Sequence, residues 1–139
     1  MTKRYYLDTS IWRDYFENRS DKFRPLGEWA FTLIKIIIKY RSLILYSDLV
    51  IEELREKYSD QEIDELYEFP KKYNLLLKVN ISQSQTNEAK KLSKQRHVPY
   101  ADALHAILAR DNNAVVVTRD KHFNSLRDIV KIYKPEELI

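Results

Sequence analysis

The sequence predicts an α/β fold, a three-layer sandwich in which helices cover both faces of a parallel β-sheet. Two observations predict it. Short apolar runs rich in Val, Ile, Leu and Tyr alternate along the chain with longer segments of helical period. Several of the short runs are apolar throughout, as strands covered on both faces are. Parallel neighbours need crossover connections, so strand–helix–strand repetition selects a sandwiched parallel sheet. No repeat, low-complexity tract or flexible linker divides residues 1–139, which are read as one domain.

Strands are expected at residues 4–8, 43–46, 75–79, 115–118 and 130–133. Helices are expected at 11–16, 26–40, 49–58, 61–73, 85–96 and 101–110. Trp12, Tyr15 and Phe16 have the i, i+3, i+4 spacing of one buried stripe. Pro25 precedes the second helix and Pro99 begins the turn into the sixth, positions where a missing N–H costs little. Ser47 or Asp48 is placed to cap the helix that follows. The apolar stretch 30–40 is interrupted by Lys35 and Lys39 and is shorter than a membrane span needs, so it reads as a core helix. With no apolar run behind Lys3 and Arg4 and no Cys, the expected location is cytoplasmic.

Composition removes several chemistries. Without Cys there is no disulfide, thiolate zinc site or cysteine nucleophile. A single glycine, Gly27, excludes the glycine-rich loops that wrap phosphates. His97, His105 and His122 offer no i, i+4 pair for a helical zinc motif. Carboxylates, hydroxyls, Lys and Arg remain. Net charge is only +3, but it is unevenly spread: residues 1–46 carry nine basic and five acidic groups, 47–70 two and nine, and 71–139 thirteen and seven. The acidic stretch reads as a solvated helix face, and the flanking regions could meet a polyanion.

Parallel α/β sheets bind ligands beyond the carboxyl ends of their strands. Asp8, Thr9 and Ser10 follow the first strand, and Ser47 and Asp48 the second, ahead of a helix bearing Glu52 and Glu53. Thr118, Arg119 and Asp120 follow the fourth, while Asp102 opens an otherwise apolar helix. Taken singly, Asp8, Asp102 and Asp120 read as helix caps or as charges offsetting a helix dipole. Together, Asp8, Glu53, Asp102 and Asp120 would crowd one crevice and raise one another's pKa unless a cation joined them. Oxygen donors select a hard ion, Mg²⁺ or Mn²⁺, suited to phosphodiester hydrolysis.

Four segments carry a resemblance: Tyr-Leu-Asp-Thr-Ser at 6–10, Ser-Asp-Leu-Val-Ile-Glu-Glu-Leu at 47–54, Tyr-Ala-Asp-Ala-Leu-His-Ala-Ile-Leu-Ala at 100–109, and Val-Val-Val-Thr-Arg-Asp-Lys-His-Phe at 115–123. In this order over nearly the whole chain, they resemble the PIN domain nucleases, and among them the VapC-type toxin ribonucleases. The resemblance implies a five-stranded parallel sheet ordered 3-2-1-4-5. It implies a divalent-metal site with Asp8, Glu53, Asp102 and Asp120 as its acids, and Ser10 and Thr118 as hydroxyls steadying them. It further implies an RNA substrate, a homodimer and a small VapB-like antitoxin as partner. The family's Glu-Leu pattern picks Glu53 over Glu52, and the two point about 100° apart on a helix. The apolar region 18–42 is long for the compact toxins, which implies an enlarged dimer face or another partner.

His105 shares a helix face with Asp102 but reads as a packed side chain with one satisfied nitrogen. For Arg119, a phosphate grip and a solvated position stand equal, and Lys121 is a weaker copy of the same choice. A receiver domain would need an acid after the third strand, where Lys78, Val79 and Asn80 stand, and a haloacid-type phosphatase would need one at Ser10. The remaining alternative is a PIN-fold nuclease or a non-catalytic RNA-binding module in RNA processing or ribosome maturation.

Overall fold

The strands run β1 (Arg4–Leu7), β2 (Leu43–Tyr46), β3 (Leu76–Lys78), β4 (Val115–Val117) and β5 (Ile132–Tyr133), and every pairing among them is parallel. Their order is 3-2-1-4-5, as expected. This computed structural model describes residues 2–139; Met1, where the expected domain span begins, lies outside the described residues. Between the strands come α1 (Thr9–Glu17), α2 (Leu26–Lys39), α3 (Asp48–Arg55), α4 (Asp60–Lys72), α5 (Gln83–Arg96) and α6 (Tyr100–Asp111). Short 3-10 turns occupy Lys121–Leu126 and Pro135–Glu137.

Strand composition explains the layering. Tyr6, Leu7, Ile44, Leu45, Val116 and Val117 are all buried, so successive residues are covered on opposite faces. Helix α6 is buried continuously from Asp102 to Ala109, and small residues at 103, 106 and 109 admit close packing. On α2, Ala30, Leu33, Ile34 and Ile37 are buried, so much of the apolar content of 18–42 goes into this chain's own core. Trp12 is buried and stacks edge-on against Tyr67 at 4.7 Å, while Tyr15 and Phe16 are half-buried. Among the described residues no helix is long and apolar enough to cross a membrane.

Register aligns the strand ends. Leu7 lies beside Val117, and Val117 beside Tyr133. One further ladder bond on each side carries the alignment past the strands: Asp8 N–H donates to Val117 O (3.0 Å) and Thr118 N–H to Tyr133 O (2.9 Å). Asp8 and Thr118 therefore leave the sheet together.

The helix caps follow several different rules. Ser59 and Ser82 form reciprocal capping boxes with Glu62 and Gln85, which fixes the starts of α4 and α5. The capping expected at α3 is corrected: Ser47 holds the N-cap position, but its hydroxyl bonds Tyr6 OH (2.8 Å), and Asp48 pairs with Lys78 (2.7 Å).

Candidate metal centre

Asp8 is the residue at which β1 turns into α1. Its backbone carbonyl accepts from Ile11 N–H (3.0 Å), yet its side chain makes no cap bond. Instead Oδ2 accepts from Ser10 Oγ and from Thr118 Oγ1, both at 2.9 Å. The capping reading of the Asp8 side chain is thereby corrected. Thr118 Oγ1 also accepts from Asp120 N–H (3.0 Å), so one hydroxyl ties the end of β4 to the start of the next turn.

Glu53 reaches the same place from α3. Its Oε1 accepts from Thr9 Oγ1 (3.1 Å) and lies 2.5 Å from His105 Nε2. Arg13 donates to the Glu53 carbonyl (3.0 Å), fixing α3 against α1. Glu52 is exposed and faces away. His105 is fully buried, and its Nδ1 meets Tyr6 OH at 2.7 Å. A continuous string therefore runs Ser47–Tyr6–His105–Glu53 beneath the crevice. Asp8, Glu53 and His105 bring one ligating atom each within 4.8 Å of one another.

A second group stands beside the first. Asp102, Asp120 and His122 likewise bring one ligating atom each within 4.8 Å of one another. His122 Nδ1 is 2.9 Å from Asp120 Oδ1 and 3.4 Å from Asp102 Oδ2. Asp120 also accepts from His122 N–H (2.9 Å), so its capping role is real and coexists with its place in the cluster. Asp102 Oδ2 is buried with no hydrogen-bond partner. Ionised, it faces carboxylates, and only a protonated carboxyl there would bond Asp120.

The two groups differ electrostatically. Burial pushes the Glu53 carboxyl up, but the bond and charge of His105, then the Thr9 hydroxyl, bring it below its ordinary value. Burial lowers His105, and is outweighed by Glu53, Asp8 and Asp102, which raise it. A cationic His105 donates from both nitrogens, leaving Tyr6 to accept from it and donate to Ser47. Burial also raises the Tyr6 phenol, so it stays protonated in that string. Asp102 goes the other way: burial, Asp120 and Asp8 push it up to about 7, and the charge of His105 offsets them only in part. An orphaned buried carboxylate beside two further acids is a donor set that fits a divalent cation.

Several expectations need correcting. Arg119 is neither a free phosphate grip nor a solvated side chain: it lines the groove beside Asp120 but is mostly buried, pairing with Asp14 (3.2 Å) and, through both terminal nitrogens, with Glu136 (2.8 and 3.0 Å). It also lies over the Trp29 ring at 5.5 Å. His105 has two partnered nitrogens, not one. Thr9 and His122 have no assigned role in the sequence reading, yet Thr9 bonds Glu53 and His122 meets Asp120. Thr9 sits between two noted residues, and His122 stands two residues past Asp120, so strand-end proximity was the available signal.

The sequence of residues 5–129 matches the model of the PIN domain. The chain belongs to the PIN domain family. Solved structures agree on the fold. The VapBC2 structure from Rickettsia felis, described as bound to a DNA fragment from their promoter, superposes with TM-score 0.68 at 19% identity, covering 93% of this chain and 96% of that one. FitAcB from Neisseria gonorrhoeae gives 0.60 at 17% identity, covering 96% and 99%. PAE2754 from Pyrobaculum aerophilum gives 0.56 at 18%, covering 99% and 94%. No curated protein sequence matches the chain. Within this PIN domain the four segments noted in the sequence hold the crevice: Asp8, Ser10, Glu53, Asp102, Thr118 and Asp120 all stand at the carboxyl edge of the sheet.

Proposed function

We propose that this PIN domain is a metal-dependent endoribonuclease, the toxin of a type II toxin–antitoxin pair. The observation that carries the metal dependence is Asp102: a buried carboxylate oxygen that makes no hydrogen bond, with His122 Nδ1 at 3.4 Å and other acids facing it, is costly to ionise unless a cation completes it. Asp8, Glu53, Asp102 and Asp120 would hold Mg²⁺ or Mn²⁺. The chemistry such an ion supplies when bound is activation of water and neutralisation of charge on phosphate oxygens.

The chain's own side chains do the positioning. Ser10 and Thr118 fix Asp8 by donating to one oxygen, while the other lies 3.9 Å from His105 Nε2. Thr9 and His105 fix Glu53, and the Tyr6–Ser47 pair fixes His105 in turn. Rigid acids held from behind are what a preorganised phosphodiester site requires.

A polyanionic substrate is supported by what lies next to the acids. A groove of about 380 Å³ continues from Thr118 and Asp120 between Arg24, Lys121, Arg127 and Lys134, with Asp120 its one acidic lining residue. A single strand of RNA crossing it would keep its phosphates against cations while presenting one linkage to the acids. Support for the toxin role comes from the family, the VapBC2 and FitAcB likenesses, and the order of the four sequence segments. On that reading the partners are a small VapB-like antitoxin and a second copy of the chain. The half-exposed rings of Phe31 and Tyr73 at opposite ends of an aromatic row through Phe69 offer surface for such contacts.

The test is hydrolysis of a mixed RNA substrate with Mn²⁺ or Mg²⁺, comparing wild type with Asp8→Asn. Cleavage by wild type alone is expected; equal, metal-independent cleavage by both would remove the proposal. Slowed host growth with wild type but not Asp8→Asn supports the toxin role, whereas equal growth shifts it to RNA processing or binding.

A further inference from the structure

We infer that His122 supplies a nitrogen ligand to a divalent cation seated between Asp102 and Asp120, and that this nitrogen biases the site toward Mn²⁺ over Mg²⁺. The inference rests on the metal-dependent reading above and adds a residue and a preference to it.

Four observations carry it. His122 Nδ1 stands 2.9 Å from Asp120 Oδ1 and 3.4 Å from Asp102 Oδ2, so the ring edge closes the space over both acids. Asp102 is nine-tenths buried, and its Oδ2, the oxygen nearest His122, has no hydrogen-bond partner. The inner acids are already served: Asp8 Oδ2 has two hydroxyl donors, and Glu53 Oε1 has Thr9 and His105. The missing partner is therefore on the His122 side of the crevice. The ring's position is also built in, because Asp120 accepts the His122 backbone N–H (2.9 Å) at the first step of the 3-10 turn.

Chemistry decides which ion benefits. Mg²⁺ favours oxygen ligands in near-ideal octahedra and keeps its waters. An imidazole nitrogen suits first-row transition ions better, and even Mn²⁺, the weakest binder of that row, gains over Mg²⁺. The His122 side chain is 59% exposed, so its other face stays in water and the ring can be removed without opening the core. His105 is a poor rival for this role, because both of its nitrogens are already bonded and it lies below the crevice floor.

The test uses the full chain with Mn²⁺ or Mg²⁺ alone, by titration calorimetry on wild type and His122→Ala. The variant is expected to weaken Mn²⁺ binding about 10-fold and Mg²⁺ binding about 2-fold or less. Pulsed electron paramagnetic resonance on the Mn²⁺-loaded wild type is expected to show ¹⁴N coupling that disappears in His122→Ala. Unchanged Mn²⁺ affinity, equal weakening of both ions, or ¹⁴N coupling that survives the substitution would each overturn the role of His122 while leaving the acid site standing. A wild type that binds neither ion would overturn the metal-dependent reading as well.

Discussion

Asp102 sets the first prediction at the scale of single residues. Its folded value of about 7 lies above the ordinary 3.8, because burial, Asp120 and Asp8 oppose its charge. Between those values the folded, metal-free chain holds a proton that the unfolded chain has released. Its stabilising contribution is complete below about 4, declines as pH rises, and is gone above about 7. Asp102→Asn has no charge to lose, so at pH 8 it should be more stable than wild type by about 1–3 kcal/mol while RNA cleavage disappears. Urea midpoints at pH 5 and pH 8 measure this; a variant that loses its fold would make Asp102 a structural cap. The buried string makes the opposite case. Tyr6→Phe removes the hydroxyl between His105 Nδ1 and Ser47 Oγ and leaves both without that partner. A loss of about 1–3 kcal/mol in unfolding free energy is expected, with weaker divalent-ion binding as Glu53 loses its support. The acids and hydroxyls were legible in the sequence because all but Glu53 follow a strand or open a helix, and Glu53, in the body of α3, was picked out by the Glu-Leu pattern of the resemblance. The string was not, because Tyr6 and His105 are 99 positions apart and meet only when α6 packs on β1.

Among the elements, α2 and its approach show how one residue constrains a packing. Gly27 lies in the first turn of α2, and a Cβ there would sit 2.4 Å from Asn18 Cα and 2.7 Å from its carbonyl carbon. Both are backbone atoms at the end of α1, where Asn18 takes the left-handed conformation (φ 48°) that stops the helix. Gly27 N–H also donates to Arg19 O (2.8 Å), so the two segments are bonded as well as touching. Alanine would gain about 0.5–1 kcal/mol of helix propensity and force the α1–α2 corner apart. Gly27→Ala is therefore expected to be net destabilising by about 1–3 kcal/mol, read as a lower urea midpoint with an unchanged slope; a stabilised variant would mean the corner yields freely. The sequence located every strand and helix to within a few residues, since period and composition are local. It missed where they join: Arg119, read as a phosphate grip or a solvated side chain, is paired with Asp14 and Glu136, which binds the last 3-10 turn to α1. Its partners come from both ends of the chain, and no local pattern reports such a triad.

Across the whole molecule, charge is sorted between two grooves. One, lined by α3, α4 and the edge strand β3, gathers Asp48, Glu52, Asp60, Asp64, Glu65 and Glu68 against Arg55, Lys71, Lys72 and Lys78, and so keeps an acidic excess. The other runs from Asp120 past Arg24, Lys121, Arg127 and Lys134. The sequence already showed an acidic stretch between two basic regions; the fold brings residues from both basic regions to one side of the acids. Like-charge repulsion at the acidic groove and attraction at the basic one give a nucleic acid a preferred approach. Binding of single-stranded RNA, measured without divalent ions so that no cleavage occurs, should weaken with added salt. Each phosphate neutralised by a lysine contributes a slope of about 0.7 in log affinity against log salt for a single strand. The double variant Lys121→Ala, Lys134→Ala should therefore lower the magnitude of that slope by about 1.4 and weaken binding across sequences alike. Lys71→Ala, at the acidic groove, removes the same kind of charge from the wrong side and should leave the slope unchanged. A slope that falls as much per lysine removed in Lys71→Ala as in the double variant would mean that net charge, not this groove, attracts the strand.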